Sequence, residues 1–285
     1  MTQNPYHLDK RLVRHHFERA APHYDHAAFL QREIAGRLLE HLRLIKKQPH
    51  RILDAGCGTG HAITTLHHDY PQAQIIALDL AVGMLRGVSR HHPANPQLSL
   101  LNADLEALPF KPDSFDLVFS NLALQWCNAP ADTFTALHRV MRADGVLMFS
   151  TFGPDTLHEL RSAFAALDPH THVSAFWDMH DLGDMLLQAG FADPVMARET
   201  LTVTYADLSA LLKDLKGIGA TNATQGRASG LMGRARLAAL GEQYQRFAHS
   251  DGRLPATYEI LYGHAWRNVP AAAPTPGPVI PIIAQ

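Results

Sequence analysis

Apolar and polar positions along this chain predict strands and helices in turn over roughly its central third. Short apolar runs of strand length, such as Ile52 and Leu53, are separated by segments with helical spacing and by short polar connections. The predicted strands are 51–54, 74–79, 98–102, 115–120 and 145–151, and the predicted helices between them are 60–69, 82–91 and 131–142. This alternation predicts a doubly wound α/β sheet with parallel strands and a ligand site at their carboxyl ends.

The flanking regions predict further helices and two more strands. Residues 6–46 have helical patterning, with Ile34, Leu38, Leu42 and Ile45 on one face. Later segments predict helices at 178–189, 207–216 and 233–248, and strands at 195–205 and 257–266. The two helices between these strands form an excursion from the sheet that is well placed to be a lid.

These patterns divide the chain into five expected parts. They are an N-terminal helical lid at 1–46, a Rossmann-like core at 47–205, a helical lid insertion at 206–255, a last core strand at 256–269 and a tail at 270–285. The tail, PAAAPTPGPVIPIIAQ, has too many prolines for a strand or helix. We expect it to be extended or disordered.

The candidate chemistry begins in RILDAGCGTG, residues 51–60, where an apolar strand ends in Asp54 and opens into Gly56, Gly58 and Gly60. Glycines permit a sharp turn with positive φ and a close approach of a ligand to the backbone. A dinucleotide-binding loop has its third glycine three residues after the second, and His61 occupies that position here. The loop therefore favours a nucleotide-sized ligand other than a dinucleotide.

Three acids follow three consecutive predicted strands: Asp54, Asp79 and Asp104. Such a set suits a cationic or neutral cofactor and opposes a polyanionic one. S-adenosylmethionine fits, with its sulfonium and ammonium near Asp54, its ribose on Asp79 and its adenine beside Asp104. Further expected cofactor contacts in the same loops are Leu80, Met84, Asn102, Ala103, Leu105, Ser120 and Asn121.

The acceptor side of the site is expected to include the segment SNLALQWCN, residues 120–128, because it follows the fourth core strand. Leu122, Gln125 and Trp126 are its candidate substrate-pocket residues, although Trp126 fits a wall against water and a cap on the core equally well. Tyr24, in the proline-broken segment FERAAPHYD, fits ordinary packing or a lid over a pocket. Arg227, in the glycine-rich LKGIGATNATQGR, fits a surface charge or a binding residue.

Composition narrows the function classes. The chain has 285 residues, 46% of them hydrophobic, and a formal net charge of −2, which does not favour wholesale nucleic-acid binding. No apolar run approaches ~20 residues, so neither a membrane span nor a secretory signal is expected. Adjacent histidines such as His15 and His16 diverge by about 100° on a helix, so no metal site is expected. Two cysteines fit a reducing cytoplasm.

From about Val13 to Trp266 the chain resembles the malonyl-[acyl-carrier protein] O-methyltransferase family, within the class I S-adenosylmethionine methyltransferases. Four segments carry the resemblance: FERAAPHYD, SNLALQWC, LKGIGATNATQGR and PATYEILYGHAW. The resemblance implies a seven-stranded sheet with an antiparallel last strand, covered by a lid built from the N-terminal helices and the excursion after the sixth strand. It also raises Tyr24 and Arg227 to pocket residues, as catalytic contacts of the acceptor carboxylate.

The implied reaction is methyl transfer from S-adenosylmethionine to the free carboxylate of a malonyl thioester, which begins pimelate assembly for biotin synthesis. The acceptor is carried by an acyl-carrier protein or by coenzyme A. Two basic faces, Lys10 with Arg11 and Arg14, or Arg234 with Arg236, are candidate docking surfaces for an acidic carrier. Two alternatives stay open: a related methyltransferase acting on a quinone, sterol or other small molecule, and a cofactor-binding assembly factor without methyl transfer.

Overall fold

The structure, a computed structural model, describes residues 4–228, 230 and 232–268 of the chain. The tail expected to be disordered, 270–285, lies outside the described residues. Within them a single sheet contains β1 Arg51–Ala55, β2 Gln74–Asp79, β3 Leu98–Asn102, β4 Phe115–Asn121, β5 Met141–Phe152, β6 Phe191–Tyr205 and β7 Leu254–Arg267.

The strand order is β3-β2-β1-β4-β5-β7-β6. Strands β1 to β5 pair in parallel, and β7 is antiparallel to both of its neighbours, β5 and β6. The predicted fold class, a doubly wound seven-stranded sheet with an antiparallel last strand, is therefore confirmed. The carboxyl ends of β1, β2, β3 and β4 lie at one edge, where the sequence placed the candidate site.

The helices surround this sheet. They are α1 Lys10–Ala20, α2 Tyr24–Ala27, α3 Phe29–Arg43, α4 His61–Asp69, α5 Val82–His91, α6 Pro130–Val140, α7 His158–Ala165, α8 Met179–Gln188, α9 Leu208–Gly217 and α10 Arg234–Tyr244. None of the helices in the described ranges is both long enough and apolar enough to cross a membrane.

Neighbouring strand residues supply two separate hydrophobic clusters, as alternation in a sheet covered on both sides requires. Ile52 belongs to the cluster that contains residues of α3 and α4, and Leu53 belongs to the cluster that contains residues of α6 and α8. The predicted apolar face of α3 is confirmed, since Ile34, Leu38 and Leu42 are all buried in the first cluster. This face of helix α3 thus packs on the core.

The structure differs from the sequence expectations at several places, including two strand starts and one helix. Strand β5 begins at Met141 rather than at residue 145, and β6 begins at Phe191 rather than at residue 195. The early part of β6 holds Pro194 at an irregularity in its register with β7, which is where a strand tolerates proline. Helix α7 is absent from the prediction.

The segments before α3 and after α9 contact one another above the sheet edge. We call residues 8–27 the N-terminal cover. Leu8 forms an isolated antiparallel bridge with Thr224, and the backbone N–H of Asp9 donates to the Ala223 carbonyl at 2.8 Å. The Leu8 N–H also donates to the Asn128 side chain at 2.7 Å, which ties the cover to the loop after β4. The cover is therefore held from both sides.

Candidate active site

A cavity lies at the carboxyl ends of β1, β2 and β4, beneath the N-terminal cover. We call it the central cavity; it has about 620 Å³ of empty space, its mouth included. Predicted site residues in its lining are Tyr24, Gly56, Gly58, Asp79, Leu80, Met84, Asp104, Leu105, Asn121, Leu122 and Trp126. The structure thus brings most of the predicted residues together.

The glycine loop after β1 is shaped by the turn after β4. Gly56 has φ +82°, and a Cβ built on it would stand 2.3 Å from the Cβ of Ala123. Any larger residue would push the two loops apart, and positive φ would add strain for a side chain. Leu122, next to Ala123, itself has φ +50°. Gly56 is therefore required by close packing of two protein loops as well as by its turn.

The Asp79 carboxylate is fixed by backbone donors at the end of β2. Gly58 N–H donates to its Oδ2 at 2.9 Å, and Ala81 N–H donates to its Oδ1 at 2.8 Å. Burial raises the pKa of Asp79 to about 6, although these backbone hydrogen bonds lower it. Each oxygen keeps further acceptor capacity, so the carboxylate is positioned for a pair of hydroxyl donors.

A smaller polar cavity adjoins the central one and shares Tyr24, Gly56, Gly58 and Asn121 with it. Its lining includes Asp54, which is only 2% exposed. Asp54 Oδ2 and Gln31 Oε1 are buried there without a hydrogen-bond partner among the described residues.

The pKa of Asp54 reflects its burial in this cavity. Burial, with a further contribution from the charge of Asp79, raises the pKa of Asp54 to about 7. A buried acceptor without a donor is costly, and a cationic or N–H-bearing ligand would satisfy it. These two orphaned oxygens therefore fit the ammonium end of S-adenosylmethionine.

Asp104 forms an ion pair with the N-terminal cover. Lys10 Nζ lies 3.0 Å from Asp104 Oδ1 and 2.7 Å from Glu106 Oε2, and it donates to the Trp126 carbonyl at 3.1 Å. Burial alone would lower the pKa of Lys10. The charge of Cys127 and the contacts with Glu106 and Asp104 raise that pKa by more, so the net shift is upward. Lys10 is therefore an internal clamp in the cavity wall and does not belong to the basic docking face predicted with Arg11 and Arg14.

Tyr24 begins α2 and lies between the central and polar cavities. Burial, with smaller contributions from the charges of Asp79 and Asp25, raises the pKa of Tyr24 far above its ordinary value. Its hydroxyl therefore stays protonated and is a hydrogen-bond donor at neutral pH. The neighbouring Asp25 accepts from the Thr59 hydroxyl at 2.6 Å, which holds α2 against the glycine loop.

Arg227 lies outside the linings of the central and polar cavities. It is exposed, and its Nη1 donates to the Thr224 carbonyl at 2.9 Å. The bridge between Leu8 and Thr224 places this loop beside the N-terminal cover. Arg227 is thus in the excursion after β6, at the rim of the covered region.

Four predicted cofactor residues stand behind the central cavity wall rather than in it. Gly60, with φ +90°, precedes the first turn of α4. Asn102 donates to the backbone carbonyls of Asp79 and Leu80 at 2.9 and 2.8 Å. Ser120 donates to the Ala55 carbonyl at 2.8 Å, and Ala103 N–H donates to the Asp79 carbonyl at 3.2 Å. These residues shape the loops that carry the lining.

A second large cavity lies beyond Trp126, among α7, α9 and the start of β7. We call it the side cavity. Gln125 and Trp126 line it, so two of the three predicted acceptor-pocket residues face this space, and Trp126 also lines the central cavity. Leu122, the third, faces the central cavity. Trp126 therefore forms a partition, and its edge contacts Phe17 of the cover at 5.1 Å between ring centroids.

Sequence reasoning missed several lining residues. Val13 and Phe17 from α1 line the central cavity, and Lys10 joins them one turn earlier. Their spacing of three and four residues is the available signal, since it places them on one helical face. Gln31 carried no such signal, because an isolated glutamine in a helix is ordinary.

Comparisons with known proteins agree with the geometry of the site. Residues 53–149 match a family model described as a methyltransferase domain. The YcgJ protein from Bacillus subtilis has a similar structure, with a TM-score of 0.59, 16% identity and coverage of 81% of this chain and 98% of that one. This likeness shows the fold. The sheet, the glycine loop and the family match together define a class I methyltransferase.

The sequence relatives are more specific. A malonyl-[acyl-carrier protein] O-methyltransferase from Gallionella capsiferriformans is 51% identical over 280 residues, covering 94% of each chain. Another from Laribacter hongkongensis is 51% identical over 277 residues, covering 94% of this chain and 92% of that protein. The chain belongs to the malonyl-[acyl-carrier protein] O-methyltransferase family. The predicted family, and with it the S-adenosylmethionine-dependent class, is confirmed.

Proposed function

We propose that the protein transfers a methyl group from S-adenosylmethionine to the free carboxylate of a malonyl thioester held by an acyl-carrier protein. The observation that carries the proposal is the covered cavity at the strand ends, whose acids match a cationic cofactor, in a chain that matches a member of this family over 94% of its length. The product would be a methyl ester that begins pimelate assembly for biotin synthesis.

The cofactor would lie along the central and polar cavities. Asp79 would accept from the ribose hydroxyls, Asp104 would lie beside the adenine, and Asp54 with Gln31 would accept from the ammonium group. When bound, S-adenosylmethionine supplies an electrophilic methyl group on its sulfonium. Phe17 and Tyr24 of the N-terminal cover exclude water from this region, because both line the central cavity.

The acceptor needs no general base. A carboxylic acid of this kind has a pKa near ~4, so it is ionised at neutral pH and is already nucleophilic. The protein's contribution is to hold one carboxylate oxygen in line with the methyl group and to exclude water. No ionisable base is therefore required beside Asn121 and Leu122, where the acceptor would enter the central cavity.

Tyr24 and Arg227 are the proposed contacts of the acceptor carboxylate. Tyr24 supports this role because its side chain lines the cavity and its hydroxyl remains a donor. Arg227 would supply a two-pronged hydrogen-bonding group for the second oxygen, after release of the Thr224 carbonyl that it now contacts. Its place in the loop that touches the N-terminal cover supports a role in closing over the acceptor.

Labelled methyl transfer to a panel of acceptors tests the proposal. The panel contains malonyl-carrier protein, malonyl coenzyme A, the methyl ester of each, and a neutral quinone. Transfer to the free malonyl thioesters and none to their methyl esters is expected, because esterification removes the nucleophilic carboxylate. Transfer to the quinone alone would establish the small-molecule alternative, and cofactor binding without any product would establish the assembly factor.

We further propose that the protein acts in the cytoplasm, where both cysteines would stay reduced. Cys57 and Cys127 are free thiols, and burial raises the pKa of each well above its ordinary value, so neither is reactive. Among the described residues, no group of three or more His, Cys, Asp or Glu side chains could hold a metal ion.

A further inference from the structure

The side cavity is mostly apolar and distinct from the space that the cofactor would fill. It has about 630 Å³ of empty space with its mouth, and apolar side chains such as Phe152, Leu160 and Leu215 make up most of its wall. Thr221 is an exposed member of the lining, so the cavity reaches solvent near it. Of the described part of the chain, Trp126 alone lines both this cavity and the central one.

Among the residues that the structure describes, no Asp, Glu, Lys or Arg side chain lines the side cavity. Several of its polar groups are already engaged within the protein. Gln125 donates to the Leu122 carbonyl at 2.7 Å, His172 contacts Asp168 at 2.9 Å, and the Thr156 hydroxyl donates to the Glu259 carbonyl at 3.1 Å. A charged ligand would lose its hydration here without compensation. The cavity therefore favours an uncharged chain.

The acceptor has such a part. A malonyl thioester carries its charge at the carboxylate, whereas the sulfur and the methylene groups behind it are uncharged. The carboxylate must reach the central cavity, and the rest of the acceptor must lead away from the cofactor to the surface. Gln125 and Trp126 belong to the same short turn as Leu122, so one segment borders both spaces.

We propose that the side cavity holds the thioester sulfur and the uncharged arm of the acceptor, with the carboxylate directed past Trp126 into the central cavity. This inference rests on the proposed function. It assigns the recognition of the carrier arm to α7, α9, the start of β7 and the loop around His172. Trp126 acts as a positioning residue that separates the arm from the cofactor.

Filling the side cavity tests this assignment. Ser174→Leu and Ala220→Leu each add a larger side chain to its lining, from two different loops. Ala175→Leu is the matched control, because Ala175 is exposed and does not line the cavity. The probes are malonyl-pantetheine, which carries the arm, and the S-methyl thioester of malonate, which lacks it. Calorimetry with S-adenosylhomocysteine checks folding and the cofactor site in each variant.

In the wild type, kcat/KM should be higher for malonyl-pantetheine than for the truncated thioester. The two filling variants should reduce that preference by about tenfold or more, with the affinity for S-adenosylhomocysteine within about twofold of wild type. The control should keep the full preference. If one filling variant fails to fold, the other decides.

Three results would overturn the inference while leaving the function in place. They are an unchanged preference in both filling variants, an equal loss on both probes, and the same loss of preference in Ala175→Leu. Failure of the wild type to methylate either malonyl probe or malonyl-carrier protein would instead refute the proposed function, and the arm site with it.

Discussion

Asp54 makes cofactor binding depend on pH in a calculable way. Its pKa is raised to about 7 by burial, while the cationic cofactor end would favour the ionised form. At about pH 6 only about one Asp54 in eleven is ionised, whereas at about pH 7.5 about three in four are. Binding of S-adenosylhomocysteine, which keeps the ammonium, should therefore be about eightfold weaker at the lower pH. Asp79, with a pKa raised to about 6, adds about a further twofold.

The assay is calorimetric titration of S-adenosylhomocysteine in buffers with different ionisation enthalpies. Near pH 6, binding should release about one proton, because Asp54 must ionise to meet the ammonium. Asp54→Asn is the control, and it should bind weakly with most of the pH dependence and proton release gone. An affinity that is flat from about pH 6 to about pH 7.5, with no proton release, would refute the contact between Asp54 and the ammonium group.

The raised pKa of Asp54 also predicts how the stability of the folded protein depends on pH. Since the folded pKa of Asp54 lies above the unfolded value near ~3.9, its contribution to stability is fully present below that value and is lost as pH rises to about 7. Without ligand, Asp54→Asn should therefore be more stable than wild type above about pH 7, by roughly 2 to 4 kcal/mol, and the difference should shrink toward about pH 4. Urea unfolding at both pH values measures this. A variant that is less stable at the higher pH would contradict the assigned cost of the buried charge.

Three further outcomes are expected. Arg227→Ala should keep the affinity for S-adenosylhomocysteine near wild type. It should lower turnover of malonyl thioesters about tenfold or more, because a charged hydrogen-bond pair is lost. Unchanged turnover would exclude Arg227 from the site. Lys10→Met should speed hydrogen exchange in residues 8–27, because three contacts to the core are lost. The control Arg11→Met, at an exposed position, should not change these exchange rates. Equal rates in both variants would contradict the role of Lys10 in holding the N-terminal cover. KM for malonyl-carrier protein should rise with ionic strength more than KM for malonyl-pantetheine, and equal slopes would exclude electrostatic docking.

The basic residues that remain available for docking a carrier protein differ from those expected from the sequence. Lys10 is withdrawn into the cavity wall, and Arg236 is engaged by Asp168. Arg11, Arg14 and Arg19 remain on the outer face of α1, so this helix presents basic side chains to solvent while its opposite face covers the cavity. The prediction of a basic docking surface near the start of the chain remains, with Arg19 in place of Lys10.

The parallel core was predictable because its central strands β1, β2 and β4 are largely buried on both faces. β2, β3 and α5 have the bounds that the sequence predicted, since each apolar run is closed by polar or glycine residues. β5 was harder, because Asp144 has positive φ and Gly145 follows it, which from sequence resembles a turn before the strand. Helix α7 has only eight residues, too few to give a clear period.

Site residues were predictable where an acidic side chain stands at or just after the end of a predicted strand, as at Asp54, Asp79 and Asp104. It was not predictable where the partner comes from a distant segment. Lys10 looks like a surface charge until its pairing with Asp104 is seen, and Gln31 is a site residue only because its oxygen lies unpaired in the polar cavity beside Asp54. Such contacts depend on how the N-terminal cover and α3 lie over the core.

Intact mass spectrometry of malonyl-carrier protein, after incubation with the enzyme and S-adenosylmethionine, tests the central claim most directly. The carrier should gain the mass of one methyl group on its malonyl arm, and mild alkali should release it as methanol, as expected of a carboxyl ester. An unchanged carrier mass, or a methyl group that resists alkali, would contradict carboxyl methylation by this protein.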